Sequence, residues 1–257
     1  MRDSANSESR AFNGLFDAAA ATLDALMAAA FPRHHGRPGE TDPAVYREEA
    51  KQAVQHLIAY VKPDEAAALT DAFLAQFDGV VDILWTDVQA AYEQDPSAMS
   101  KDEVILLFPA FKAICAYRFS HVLYTLGVPL IPRAISEVAH RETATDIHPG
   151  AVIGTHFFID HGGALIGETA TVGDHVSMFS NVTLGVKSFE LDENGHPKKG
   201  VKRHPDVGSN VTIYTGAFIL GGTTRVGDGS VIGAQVWLTH SVGENEVVTI
   251  KNVNQKR

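Results

Sequence analysis

Aliphatic side chains recur every six residues between Ile147 and Leu238, and that spacing decides what this part of the chain can become. They stand at Ile147, Ile153 and Ile159, then at Ile166, Val172, Met178 and Leu184. After a gap they return at Val207, Ile213 and Ile219, then at Val226, Ile232 and Leu238. Each run slips once, by one extra residue. Glycine often follows the aliphatic position, as at Gly154, Gly167, Gly173, Gly208, Gly227 and Gly233. A period of six suits neither a helix, at about 3.6, nor a strand, at about 2. It fits a parallel β-helix, in which each hexapeptide supplies a short strand and a corner, and three hexapeptides close one triangular coil. The two runs predict about four coils. A coil of this size buries a core only by stacking on its neighbours.

The pattern upstream is helical. Phe12, Leu15, Phe16, Ala19, Leu23, Leu26 and Met27 mark one face of a first helix. Pro32 to Asp42 reads as a loop. Asp42-Pro43 supplies a capping side chain followed by proline at the first helical position, and Ala50, Val54, Leu57 and Val61 continue the face. Pro63 and then Asp95-Pro96 are breaks. Ser100 and Glu103 have capping-box spacing, which predicts a helix through Tyr124 with a kink at Pro109, ended by Gly127. A short helix before Thr143 delivers the chain to the first coil. The expected organisation is α+β: an all-helical N-terminal domain over 1–142, then a β-helix domain over 143–257 with a short C-terminal tail. One long excursion, 186–206, interrupts the repeat. Excursions of that length from a regular solenoid commonly serve a site.

Composition narrows the function. A net charge of −10 argues against general nucleic-acid binding, and leaves open a small anionic ligand, which responds to local charge. No apolar run approaches the roughly 18 residues of a membrane span, so no membrane partner is expected. Met1 to Arg10 is polar and does not resemble a signal peptide. The single cysteine, Cys115, cannot form an internal disulfide and reads as a core residue, which fits a cytoplasmic location.

Four clusters carry candidate chemistry: Asp95-Pro96, Asp146-Ile147-His148-Pro149, Asp160-His161 and Arg203-His204-Pro205. An Asp-His pair at 160–161 occupies a corner where the repeat would normally place small residues. Asp146 precedes His161 by most of a coil, close enough in height for a carboxylate to reach the ring. A carboxylate on one ring nitrogen fixes the tautomer and leaves the other nitrogen as a base. Such a base can activate an acceptor hydroxyl directly.

These motifs resemble those of the serine acetyltransferases of cysteine biosynthesis. The matching stretches are Asp-Ile-His-Pro at 146–149, Asp-His at 160–161, Gly-Glu-Thr-Ala at 167–170, Asn-Val-Thr-Leu-Gly at 181–185, Arg-His-Pro at 203–205 and Asp-Pro at 95–96. The resemblance covers about residues 90 to 250. It implies a left-handed β-helix, acetyl-CoA as co-substrate, and no metal. It implies His161 as general base with Asp146 as its partner, Asp95 and Asp160 as receivers of the serine ammonium, and Arg203 and His204 at the carboxylate end. Acetyl-CoA is expected along a cleft between neighbouring prisms, near Gly185, Thr215 and Ala234. A homotrimer or dimer of trimers is expected, with L-serine as acceptor and L-cysteine as inhibitor.

The chain departs from the family pattern in four places. Val186 follows Gly185 where a second glycine is usual, and the loop before Arg203 is longer. A Gly-x-Pro-Ala-Arg segment is missing, and the end reads Asn254-Gln255-Lys256-Arg257 in place of a tail ending in isoleucine. A complex with cysteine synthase is therefore not expected. Two other readings use the same residues. One is a hexapeptide acyltransferase for homoserine or a sugar. The other is a zinc hydratase like the γ-type carbonic anhydrases, drawing on His148, His156, His161 and His175.

Overall fold

The structure, a computed structural model, describes Phe12, residues 14–40 and residues 42–253. Helices fill the first part: α1 (Leu15–Ala30), α2 (Pro32–His35), α3 (Pro43–Ala59), α4 (Ala66–Gln94), α5 (Lys101–Leu107), α6 (Pro109–Thr125) and α7 (Ile131–Thr143). The capping signals act as read. The Asp42 carboxylate accepts from Ala44 N–H at 2.9 Å, and Ser100 Oγ accepts from Glu103 N–H at 3.1 Å. Two expectations need correction. The loop at Pro32 contains the short helix α2. Pro109 also breaks the helix where a kink was expected: α5 and α6 meet at 76°. Phe108 turns extended and Pro109 starts a new helix in the position that needs no N–H. Among the described residues no single helix is long and apolar enough to cross a membrane.

From Asp146 the chain forms short parallel strands in three sheets. Sheet I holds β1 (Asp146–Ile147), β4 (Leu165–Ile166), β7 (Thr183–Gly185), β10 (Phe218–Leu220) and β13 (Trp237–Leu238). Sheet II holds β2 (Val152–Ile153), β5 (Thr171–Val172), β8 (Asp206–Val207) and β11 (Arg225–Val226). Sheet III holds β3 (Phe158–Ile159), β6 (Ser177–Met178), β9 (Thr212–Ile213), β12 (Val231–Ile232) and β14 (Val247–Val248). Each of the thirteen repeat aliphatics lies in its own strand and is buried. The stack is one coil taller than the repeat predicts. Val242 bridges to Val226 and Val248 pairs with Ile232. The step from Leu238 to Val242 is four residues, so the last coil is hidden from a search at six.

The first coil would expose unpaired backbone groups at its open end, and the helices cover them. The Tyr117 hydroxyl donates to the Ala151 carbonyl at 2.8 Å and accepts from Ile153 N–H at 3.0 Å. Arg118 donates to the carbonyls of Ile153 and Gly154, both at 2.6 Å. Its guanidinium also forms a two-pronged contact with the fully buried Asp87, at 3.0 and 3.1 Å. Asp87 in turn accepts from Phe157 N–H at 2.9 Å, and Thr86 Oγ1 from His156 N–H at 3.0 Å. Cys115 lies wholly in this core, where burial pushes its thiol pKa well up and keeps it neutral. The segment Asn254–Arg257, on which the expectation about cysteine synthase rests, lies outside the described residues, as does Met1–Arg10.

Candidate active site

The prism has three edges, and the candidate residues divide between two of them. The edge from sheet III to sheet I carries Asp160 and His161. His161 adopts φ of 60°, a left-handed turn conformation that recurs at other corners of the prism, as at Asn181, Asn210 and Gln235. Its side chain is 81% exposed, and Nε2 lies 3.6 Å from the Asp160 carboxylate. Helix α4 brings Asp95 to the same place. It is tied along sheet III by the Thr86 and Asp87 contacts at one point and by a Gln94–Ser177 hydrogen bond at another. Asp95 therefore ends the helix beside Asp160. Burial raises the pKa of Asp160, His161 opposes the rise, and the charge of Asp95 adds to it. Two carboxylates that feel each other at an edge form a receptor for a cation. One oxygen of Asp95 is taken by Ser97, accepting from its N–H at 2.8 Å and its hydroxyl at 2.7 Å.

Below His161 the equivalent corner positions are Ser180, Thr215 and Ala234, each two residues after its sheet III strand. Thr215 and Ala234 thus line the edge that carries His161, as expected of a groove running down from it. Beneath Asp160 the rings of Phe179 and Tyr214 stack at 4.8 Å. Gly185 does not join them. It ends β7 at the far side of sheet I, pairs with Leu220, and its carbonyl accepts from Gly221 N–H at 3.0 Å. Its backbone is committed to the sheet ladder.

The edge from sheet I to sheet II carries Arg203 and His204, where the excursion returns to the prism. Thr169 organises both. Its Oγ1 accepts from Arg203 N–H at 2.9 Å and from His204 N–H at 3.1 Å. His204 Nδ1 accepts from Thr169 N–H at 3.1 Å and lies 2.9 Å from its hydroxyl. With Nδ1 an acceptor, the hydrogen bonds assign the ring proton to Nε2. Burial, followed by the charge of Arg203, lowers the His204 pKa to about 4. His204 therefore offers a neutral N–H donor, and Arg203 supplies the positive charge. One arm of Arg203 bonds Glu168, whose other oxygen accepts from the Tyr124 hydroxyl at 3.2 Å. Burial of Glu168 opposes ionisation, but Arg203 outweighs it and holds the pKa below the usual carboxylate range. Glu168, Thr169 and Tyr124 had no assigned role in the sequence reading. The first two were visible only as part of the Gly-Glu-Thr-Ala stretch.

Asp146 lies on sheet I at the end nearer His161, but within one chain the two do not touch. Asp146 Oδ1 lies 3.4 Å from Arg133 of α7, which also pairs with Glu137. The Asp146–His161 hydrogen bond implied by the resemblance is thus not made here; Arg133 faces the carboxylate as an ion-pair neighbour, and among the described residues Asp146 Oδ1 is buried without a hydrogen-bond partner. The zinc reading loses its geometry. His148, His161 and the stacked pair His156–His175, at 4.1 Å, occupy three different edges. Among the described residues the group able to share an ion is Glu137, His140 and Asp146, and Arg133 already places a cation on two of its carboxylates.

No family model matches the chain. A plasmid-borne serine acetyltransferase of Synechococcus elongatus is 43% identical over 244 residues, covering 86% of this chain and 76% of the relative. Serine acetyltransferase of Bacillus subtilis is 42% identical over 167 residues, covering 65% of this chain and 72% of the relative. The crystal structure of Entamoeba histolytica serine acetyltransferase 1 in complex with L-cysteine superimposes with a TM-score of 0.82 at 37% identity, covering 89% of this chain and 86% of that one. Soybean serine acetyltransferase complexed with serine gives a TM-score of 0.61 at 26% identity, with 89% and 96% covered.

Proposed function

Since the chain belongs to the serine acetyltransferase family, we propose that it acetylates the hydroxyl of L-serine in a site shared between two copies of itself. The observation that carries this reading is the division of the half-sites. The carboxylate receptor of Asp95 and Asp160 and the cation Arg203 lie at opposite ends of one sheet of the prism. Gly163 to Glu168 alone spans roughly 16 Å of extended chain at about 3.3 Å per residue. Serine carries its ammonium and carboxylate on one carbon atom, so they are a few ångströms apart. A single prism cannot grip both, whereas the His161 edge of one copy against the Arg203 edge of the next can. A cyclic trimer gives every copy both neighbours, and the helices give a surface for pairing trimers.

The chemistry follows from the half-sites. Asp95 and Asp160 receive the ammonium, Arg203 the carboxylate in a two-pronged contact, and His204 donates from Nε2. The serine hydroxyl is thereby presented to His161. His161 takes the hydroxyl proton as the oxygen attacks the thioester carbon of acetyl-CoA. The tetrahedral intermediate collapses, the carbon–sulfur bond breaks, and the thiolate takes the proton back from His161. The products are O-acetylserine and CoA. Asp146, released from Arg133, would orient His161 and stabilise its imidazolium. L-Cysteine keeps both charged groups of serine, so it should inhibit in competition with serine. CoA release from acetyl-CoA with L-serine, against homoserine and sugars, tests the assignment. Selective turnover of L-serine supports it, and preference for another acceptor overturns it.

A further inference from the structure

His148, in the Asp-Ile-His-Pro motif, takes no part in the chemistry above, yet the fold sets it beside the carboxylate end of the site. β1 and β4 pair with Ile147 opposite Ile166, so position 148 stands one coil above Gly167 and position 150 one coil above Thr169. His148 N–H donates to the Ile166 carbonyl at 2.9 Å, which carries the ladder past the strand end to this corner. The ring of His204 fills the space that Gly167 leaves empty, where a Cβ would lie 2.0 Å from the imidazole. The two histidines thus occupy the same corner on successive coils, about 4.8 Å apart along the axis.

They are also held alike. His148 Nδ1 accepts from Gly150 N–H at 3.0 Å, as His204 Nδ1 accepts from Thr169 N–H at 3.1 Å. With Nδ1 an acceptor, the ring proton of His148 also belongs on Nε2. Burial lowers its pKa, although the Glu168 carboxylate opposes the fall, so the ring is neutral near neutral pH. Tyr124 of α6 packs against it edge-on, with ring centroids 5.9 Å apart. Nε2 of this half-buried ring bonds no protein group among the described residues.

Height along the prism gives that open N–H a use. Asp160 and His161 close the first coil, to which His148 belongs, whereas Gly167, under the His204 ring, belongs to the second. In a cyclic trimer of parallel prisms, the His161 edge of one copy meets the neighbour's Arg203 edge at equal height. The neighbour's His148 is then level with the base and with the ammonium receptor. A carboxylate has about four acceptor positions; a two-pronged Arg203 fills two and His204 one. We propose that His148 fills the fourth, donating from Nε2 to the carboxylate of the acceptor as a further acceptor-binding residue. The inference rests on the proposed serine site and adds a donor to it.

His148→Asn and His148→Gln separate this role from support of the turn. The Asn amide can still accept from Gly150 N–H but does not reach the place of Nε2, whereas the Gln amide brings a donor there. In the full-length protein, His148→Asn should raise the KM for L-serine about tenfold, the size of one hydrogen bond to a charged group. The KM for acetyl-CoA and the thermal midpoint should stay close to those of the wild type. His148→Gln should recover most of the serine affinity. Calorimetric titration with L-serine, and with L-serinamide, in which a neutral amide replaces the carboxylate, reads the contact without turnover. His148→Asn should weaken L-serine about tenfold and L-serinamide far less. Unchanged L-serine affinity in His148→Asn overturns the inference, as does an equal loss with L-serinamide. A wild type that neither binds nor acetylates L-serine overturns the proposed function and this inference with it, so the wild-type arm tells the two failures apart.

Discussion

Gly167 lies directly beneath the ring of His204: a Cβ at position 167 would sit 2.0 Å from both Cδ2 and Nε2. The missing side chain allows the imidazole to lie against the coil, where Thr169 can reach Nδ1. Gly167→Ala should therefore displace His204 without breaking the prism, since Gly167 follows β4 with a φ outside the left-handed region. Steady-state kinetics should show a raised KM for serine and a nearly unchanged KM for acetyl-CoA, with a small drop in thermal midpoint. An unaffected KM for serine would remove His204 from the acceptor site.

His204 also makes a pH prediction. Its pKa in the fold is about 4, against about 6.5 in an unfolded chain. Above pH 6.5 it is neutral in both states and adds no slope. Between about 6.5 and 4 the unfolded chain takes up a proton that the fold resists, so stability falls as pH falls. The full loss is roughly 3 kcal/mol per chain. In His204→Asn the amide oxygen can replace Nδ1 as acceptor but does not titrate. Denaturant midpoints at pH 7 and pH 4.5 should differ less for the variant than for the wild type.

Asp87 and Arg118 together close the open end of the first coil. Asp87→Ala strands a buried guanidinium and frees Phe157 N–H, and should destabilise the chain by about 3 to 5 kcal/mol. A thermal midpoint close to that of the wild type would show that the pair is dispensable.

His161→Ala should lower kcat by about 10² to 10⁴, the usual contribution of a general base. Asp146→Asn should cost less, because Asp146 acts through His161 and is held by Arg133 in the isolated chain. Equal losses in both variants would mean that the dyad is already formed in the resting enzyme.

The residues explain what could be read in advance. The six-residue period fixes the prism because every Ile147-type position must point inward, and no other regular structure satisfies that spacing. It loses the fifth coil because the step to Val242 is four residues. Asp95, Asp160 and His161 could be found because they interrupt expected patterns, a helix end and a small-residue corner. Arg133, Glu168 and Thr169 could not. Charged residues on a helix face and in a turn look like solvated surface until the fold sets them against Asp146 and Arg203. Pro109 signals a disturbance of the helix, but that it becomes a full break at 76° depends on how α6 docks on the first coil, which no local signal specifies.

The central claim, that the acceptor site is divided between two copies of the chain, is tested most directly by mixing two inactive variants. His161→Ala removes the base from one edge and Arg203→Ala removes the cation from the other. Unfolded together in equal amounts and reassembled, they should recover about a quarter of wild-type activity, the share of two-copy sites with both halves intact in a random assembly. Each variant reassembled alone should stay inactive. No recovery in demonstrably mixed oligomers would place both residues in a site within one chain and contradict the account.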